Sequence, residues 1–226
     1  MAMKNYYNGL NASGTTLTDM KGTTNGTLQG ASLPVIKLNG YLNFTGGNGN
    51  TAGDRNRVAF NRSDFQKTYT DSFSFVVLFR STKLDATIHS LFNVYNSGVN
   101  GFIDIGINTN ETFYCNLRTS TNQTKTAFSA GSCCDGKFHV GSLTYSQNSM
   151  LAYFDGKPLI NSTDATQDSG NFYSTSAMTL LGTRYSSSAG NYVFDLTGDI
   201  ACFIHFEHKL TAAEIQNLTL EIIGVL

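Results

Sequence analysis

Asp135-Gly-Lys-Phe-His-Val-Gly-Ser-Leu-Thr-Tyr145 and Met150-Leu-Ala-Tyr-Phe-Asp-Gly-Lys-Pro-Leu159 read as strands that close on an Asp-Gly turn. Asp155-Gly156 favours a tight hairpin of the primed type, because both turn positions tolerate positive φ. A second stretch, Leu196-Thr-Gly-Asp-Ile-Ala-Cys-Phe-Ile-His-Phe206, is a strand that runs through Leu210 into Thr211-Ala-Ala-Glu214. Ile200, Cys202, Ile204 and Phe206 share one of its faces by period-two alternation. Thr211 and Glu214 have capping-box spacing: the threonine oxygen accepts the backbone N–H three residues on, and the glutamate reaches back. The reading is a helix of about two turns, with Leu220–Leu226 as a closing strand.

Outward from these segments the chain keeps the same period. In Phe73-Ser-Phe-Val-Val-Leu-Phe-Arg80, Phe73, Phe75, Val77 and Phe79 fall on one face and Ser74, Val76, Leu78 and Arg80 on the other. That predicts a central strand with one face in a core and the other partly covered. In Phe102–Ile107, Ile103, Ile105 and Ile107 point in, while Asp104 and Gly106 point out. Many short strands, frequent turn signals and one short helix near the C-terminus predict an all-β protein, an antiparallel jelly-roll β-sandwich.

These segments resemble the laminin-G-like (pentraxin-type) branch of the concanavalin A-like lectin/glucanase superfamily. Gly14-Thr-Thr-Leu-Thr-Asp-Met-Lys-Gly-Thr-Thr-Asn-Gly-Thr-Leu-Gln-Gly30 is similar to the N-terminal edge of such domains, so the resemblance covers about residues 7 to 220. It implies a single domain over 1–226, with residues 1–6 left as a possible short arm. His139 stands where the family has a histidine after a tryptophan, and Phe138 replaces that tryptophan. The resemblance also implies calcium near a rim, with Asp19 and Asp199 aligned to recurrent aspartates. Calcium prefers six to eight oxygens, and the alternative is that these carboxylates stabilise turns through their own backbone.

Composition narrows the function. Charged residues make up 14% of the 226-residue chain and the net charge is −1. No dense Lys/Arg run exists to neutralise phosphates, which argues against nucleic acid. No apolar stretch approaches the roughly 18 residues of a membrane span. The surface must be built from Asn, Ser, Thr and Gly, which suits an extracellular or particle-surface β-protein. The first residues, Met-Ala-Met-Lys-Asn-Tyr-Tyr-Asn-Gly9, lack the apolar core of a signal peptide. The expectation is a phage or virus structural protein, the alternative a chain whose leader has been removed. The sequons, from Asn11 to Asn217, are then read as unglycosylated.

Cys115, Cys133, Cys134 and Cys202 match no zinc spacing. Free, buried thiols are expected, with a Cys115–Cys133 or Cys115–Cys134 bridge as the alternative. Glucanases of this superfamily carry a glutamate-x-aspartate-x-(x)-glutamate strand. None of Glu111, Glu207, Glu214 and Glu221 has an aspartate two positions later, and glycoside hydrolysis needs two carboxylates flanking a bond. No G-x-S-x-G, H-E-x-x-H, P-loop or G-x-G-x-x-G occurs. His205 and His208 read as structural.

Sugar recognition asks for aromatic platforms with amide and charged partners at a loop rim. Asn93–Asn100 and Arg184–Tyr192 supply them, and Tyr95, Asn96, Arg184, Tyr185, Asn191 and Tyr192 are the candidates; the alternatives are solvated loops or contacts to a neighbouring subunit. Thr45–Arg55 reads as a flexible loop. The expected function is a non-enzymatic binding or adhesion module on a virion surface, in capsid decoration or a tail fibre. Its expected partners are glycans or host cell-surface polysaccharide and other virion proteins, with a second copy of itself as a further candidate. A purely structural virion protein that cements neighbouring subunits is the alternative, an extracellular location the alternative setting, and a glycoside hydrolase the third reading.

Overall fold

The computed structural model describes residues 2–22, 24–30, 32–46, 56–82, 87–95, 101–119, 124–147, 149–164, 170–172, 178–186 and 191–224. The first strands are β1 (Asn5–Asn8), β2 (Ala12–Ser13), β3 (Thr16–Leu17), β4 (Gly26–Gln29), β5 (Val35–Ile36), β6 (Leu42–Thr45) and β7 (Arg57–Phe60). The middle of the chain forms β8 (Phe73–Arg80), β9 (His89–Tyr95), β10 (Phe102–Ile107), β11 (Thr112–Arg118) and β12 (Thr124–Ser132). Then come β13 (His139–Ser146), β14 (Ser149–Phe154), β15 (Lys157–Pro158), β16 (Ile160–Asp164) and β17 (Met178–Leu181). The last elements are β18 (Arg184–Ser186), β19 (Asn191–Val193), β20 (Thr197–Phe206) and the helix α1 (Ala212–Ile223).

All recorded strand pairs are antiparallel, and they build two facing sheets. One sheet runs β15-β14-β13-β8-β20-β6-β5, with β1 also on β20. The other runs β16-β12-β11-β10-β9-β17-β7-β4-β3-β2. The β18–β19 hairpin forms a small sheet of its own. This is the β-sandwich that the alternation predicts. Asn5 and Tyr6, part of the segment left open as an arm, pair with His205 and Ile204, so the chain enters the sheet almost at its start. Among the described residues no helix is long and apolar enough to cross a membrane, which says nothing of a β-barrel.

The space between the sheets is filled with aromatic rings. Phe203 of β20 lies 4.4 Å from Phe92, 5.9 Å from Phe75 and 6.1 Å from Phe65, ring centre to ring centre. Tyr7 and Phe60 complete the circle at 6.2 Å each. Such spacings suit offset and tilted pairs. Gly141 of β13 is set by this packing: a Cβ there would come within 2.2 Å of the Phe113 ring.

β8 and β20 are covered on their second faces as well. Val76, Leu78, Ile204 and Phe206 pack with Leu210, Ile215 and Leu218 in a smaller apolar layer under α1. That double burial is why both strands are nearly unbroken apolar runs. The capping box forms as expected, with Thr211 accepting from the Glu214 N–H and Glu214 from the Thr211 N–H. The helix is longer than two turns, however, and Leu220–Ile223 continue it instead of forming a closing strand. Ile215, Leu218 and Ile222 recur at helical spacing and face the sheet, and that burial outweighs the β-branched character of Ile222 and Ile223. The helix stops at Gly224.

The Asp155-Gly156 turn is of the primed kind, with φ of 49° and 75°. It does more than reverse the chain. Asp155 Oδ1 accepts the Val140 N–H at 2.8 Å, and Oδ2 holds His139 Nδ1 at 2.8 Å. On the other side His139 Nε2 meets Asp135 Oδ1 at 3.0 Å. Burial works against the imidazolium, but hydrogen bonds and charge from the two aspartates outweigh it and raise the His139 pKa. The Lys137 N–H, with His139, lowers that of Asp135 to about 2. The four cysteines are buried and unbridged; burial pushes the Cys202 thiol up to about 12.

Phe203→Ala should cost about 3–5 kcal/mol, read as a lower urea midpoint with little change in slope. For His139→Gln the loss of stability should depend on pH. A raised folded pKa gives a contribution fully present below the ordinary value of 6.5 and lost as pH rises through the folded value. The gap between wild type and variant should therefore be wide near pH 5 and narrow toward pH 9, as urea titrations at the two values would show; a gap that widens at alkaline pH would contradict the assignment.

Candidate functional site

Alternation along β10 sends Ile103, Ile105 and Ile107 into the core and turns Phe102 and Asp104 to the back of the ten-stranded sheet. Asp104 was expected to point out, and it does, but it is fully buried. The reason is the β18–β19 hairpin, which packs over β9. A carboxylate placed there needs partners, and it has three. Ser90 Oγ donates at 2.7 Å, the Tyr114 hydroxyl at 2.6 Å and Arg184 Nη1 at 3.2 Å. Burial and the Asp104 charge push the Tyr114 phenol well above its ordinary pKa.

Arg184 is the predicted residue whose surroundings are best defined. Its guanidinium carbon sits 5.1 Å from the centre of the Phe102 ring and 5.4 Å from that of Phe194, a cation–π sandwich. Phe194 holds its ring there from a left-handed backbone, φ 61°. Across the sheet, Asn93 is the register partner of Asp104; its Nδ2 donates to the Ile103 carbonyl at 3.1 Å. Two buried polar atoms at this centre, Arg184 Nε and Asn93 Oδ1, have no hydrogen-bond partner among the described residues. One is a donor and the other an acceptor.

The hairpin register sets Tyr185 opposite Tyr192 and Ser186 opposite Asn191, beside Arg184. Tyr95 pairs through its backbone with Phe102, the ring under Arg184. Tyr95 and the β18–β19 hairpin thus lie at one end of β9 and β10. The side chains of Tyr95, Tyr185, Asn191 and Tyr192, and all of Asn96, lie outside the described residues. Sequence reasoning missed Asn93, Asp104 and Phe194. The available signal was a single amide or acid inside an otherwise apolar strand, which in water-free surroundings demands a partner.

The expected calcium ligands do not fit the ion. Asp19 accepts from Asn5 Nδ2 at 2.6 Å, the Tyr6 N–H at 3.0 Å and the Lys21 N–H at 3.1 Å. Burial raises its pKa, but these donors outweigh it and hold the carboxyl below its ordinary value. Asp199 is taken up by Arg80 and Asn43. Asn5, beside Asp19, is paired with His205, so the two aspartates attach about 20 Å apart along β20. Among the described residues no group of three or more His, Cys, Asp or Glu side chains is placed to hold a metal ion. The turn-stabilising alternative describes Asp19, and an ion pair describes Asp199.

Asp135 and Asp155 do face each other, but His139 lies between them and bonds to both, so they do not flank open space for a sugar and a water. A groove of about 600 Å³ lies on the far sheet against α1. Met3, Leu78, Ile204 and Leu218 line it together with Tyr6, Asn8, Asn39 and Glu221.

The model of one protein family, the concanavalin A-like lectin/glucanases superfamily in its third laminin G set, matches residues 52–216. No curated protein matches the chain. Among solved structures, it is similar to the binding domain of Paraclostridial Mosquitocidal Protein 1, at 11% identity and a TM-score of 0.69 over 99% of this chain and 53% of that one. It is similar to the binding domain of botulinum neurotoxin DC, solved with SialylT, at 16% identity and 0.68 over 97% and 51%. The sialidase of Trypanosoma rangeli, solved with sialic acid, aligns at 15% identity and 0.66 over 99% and 33%. The chain thus spans a third to a half of these molecules, and at such identities the likeness is one of fold.

Proposed function

Because the chain belongs to the concanavalin A-like lectin/glucanase superfamily, in its laminin-G-like branch, we propose that it is a non-enzymatic carbohydrate-recognition module with its ligand seated at Arg184. The observation that carries this reading is the pair of unsatisfied atoms beside Asp104. A sugar hydroxyl accepts from one group and donates to another at the same time. Arg184 Nε is a donor and Asn93 Oδ1 an acceptor, each buried and without a partner among the described residues, and the Arg184 guanidinium lies against the Phe102 and Phe194 rings. Leaving such groups unpaired costs about 1–3 kcal/mol each, and a hydroxyl that pairs them recovers part of it. Recognition is reversible. Asp104 is held by three donors, which fits a positioning group for Arg184.

The neurotoxin and sialidase structures, solved with a sialylated glycan and with sialic acid, support a saccharide as the ligand class. We propose a virion surface as the setting, from the weakly charged, Asn/Ser/Thr/Gly-rich composition, and recognition that does not need calcium. A cementing role has an observation of its own: β5 is the edge of its sheet, Val35 and Ile36 on it are exposed, and Leu38 beside it is wholly so. An edge of that kind invites a neighbouring chain.

Arg184→Lys keeps the charge on Asp104 but removes the planar fork and Nε. On a glycan array the wild type should bind selectively and equally with calcium or chelator. The variant should lose about tenfold or more in affinity while staying folded, as circular dichroism at the assay temperature would show. A silent array, with binding to assembled particles alone, would replace this reading by the cementing one; an Arg184→Lys variant that binds as well as wild type would move the ligand elsewhere.

A further inference from the structure

A second polar centre stands at the end of β8. Arg80 Nε and Nη2 donate to Asp199 Oδ2 at 2.8 and 2.5 Å, and Asn43 Nδ2 donates to Oδ1 at 2.7 Å. The three residues are strand neighbours: Asp199 is the register partner of both Arg80 and Asn43. The guanidinium also lies against two rings, 4.7 Å from the centre of Phe138 and 5.7 Å from that of Tyr41, which are 4.7 Å from each other. Both rings are half-buried. A surface ion pair with no further role has no need of such a frame.

A groove of about 410 Å³ opens over this centre, lined by Asn43, Arg80, Thr82, Thr197, Gly198 and Asp199 among others. Two glycines keep it open. Gly198 has φ +155°, and a Cβ on it would lie 2.2 Å from the Arg80 carbonyl oxygen. Gly136, at the mouth, has φ +80°, with Thr82 Cγ2 3.1 Å from where its Cβ would be. Arg80 Nη1 has no partner among the described residues.

The charge arithmetic selects the ligand. Arg80 and Asp199 cancel, so neither an anion nor a cation gains a net partner. What remains is uncharged hydrogen bonding from Nη1, the Asn43 amide and the threonine hydroxyls that line the groove. That combination fits a small, uncharged polyol. We infer that the groove at Arg80 is a second carbohydrate subsite, and that it takes a neutral, hydroxyl-rich sugar unit. The inference rests on the carbohydrate reading of the domain, but not on Arg184 or any residue around it. Phe194, which stacks on Arg184, and Asp199, which binds Arg80, are five residues apart, so their Cα atoms are separated by no more than about 18 Å.

The test follows the Arg80 Nε–H resonance by nitrogen-15 NMR, assigned by its disappearance in Arg80→Lys. The probes are the methyl α-glycosides of glucose, galactose and mannose, with N-acetylneuraminic acid as the anionic comparator. At least one neutral glycoside should shift the resonance saturably, and the acid should not. Thr82→Phe crowds the mouth of the groove and leaves the ion pair in place; it should weaken that glycoside by about tenfold or more. A resonance that stays still with all three glycosides, or a Thr82→Phe variant that binds as wild type does, overturns the subsite. If glycan-array binding persists in that case, the Arg184 reading stands without it.

Discussion

Everything in this molecule is arranged around two strands that have no exposed face. β8 and β20 lie side by side in one sheet, with the aromatic cluster of Phe75 and Phe203 on one side and the layer under α1 on the other. A strand buried twice cannot be left without a second cover, because each exposed Val, Leu or Ile side chain would forfeit about 1.5–3 kcal/mol of burial. The helix is therefore a structural requirement of the sandwich. Its coverage also divides the surface. The back of the eight-stranded sheet is partly closed by α1, and polar chemistry is left to the other sheet's back and to the rim.

The second constraint is the treatment of polar side chains inside apolar strands. Ser74 accepts the Leu210 N–H and donates to the His208 carbonyl, tying the start of the helix to the central strand. His205 faces Asn5 at 2.7 Å, and burial together with Lys67 and Lys4 lowers its pKa to about 2, so it is a neutral hydrogen-bonding group. Asp104 follows the same rule with a charge instead of a dipole, and the cost of hiding it is met by Arg184 and two hydroxyls. At the first two places the polar group fastens one element to another. At Asp104 the fastening leaves both a donor and an acceptor over, where the His205 pairing leaves the single atom Nε2.

The period-two alternation of Phe73–Phe79 and Ile103–Ile107, the Asp-Gly turn and the capping box were legible because each is a local rule. Leu220–Ile223 misread as a strand because four apolar residues carry no period of their own; only the sheet beneath them decides. The loops at 93–100 and 184–192 were legible as polar and aromatic, and the structure brings their bases together. Their floor was not legible. Asp104 looked like an outward residue since nothing in its own strand announces that a hairpin eighty residues later covers it. Asp19 and Asp199 looked alike as family aspartates, yet one serves backbone N–H groups and the other a guanidinium, a difference fixed wholly by partners far away in the chain.

Arg184 and Arg80 each meet a carboxylate of the protein before they meet anything else. The consequence is kinetic. With their fields already quenched, neither centre draws a ligand in from solution, so encounter is governed by diffusion and orientation and not by long-range attraction. Capture on such a surface would depend little on ionic strength.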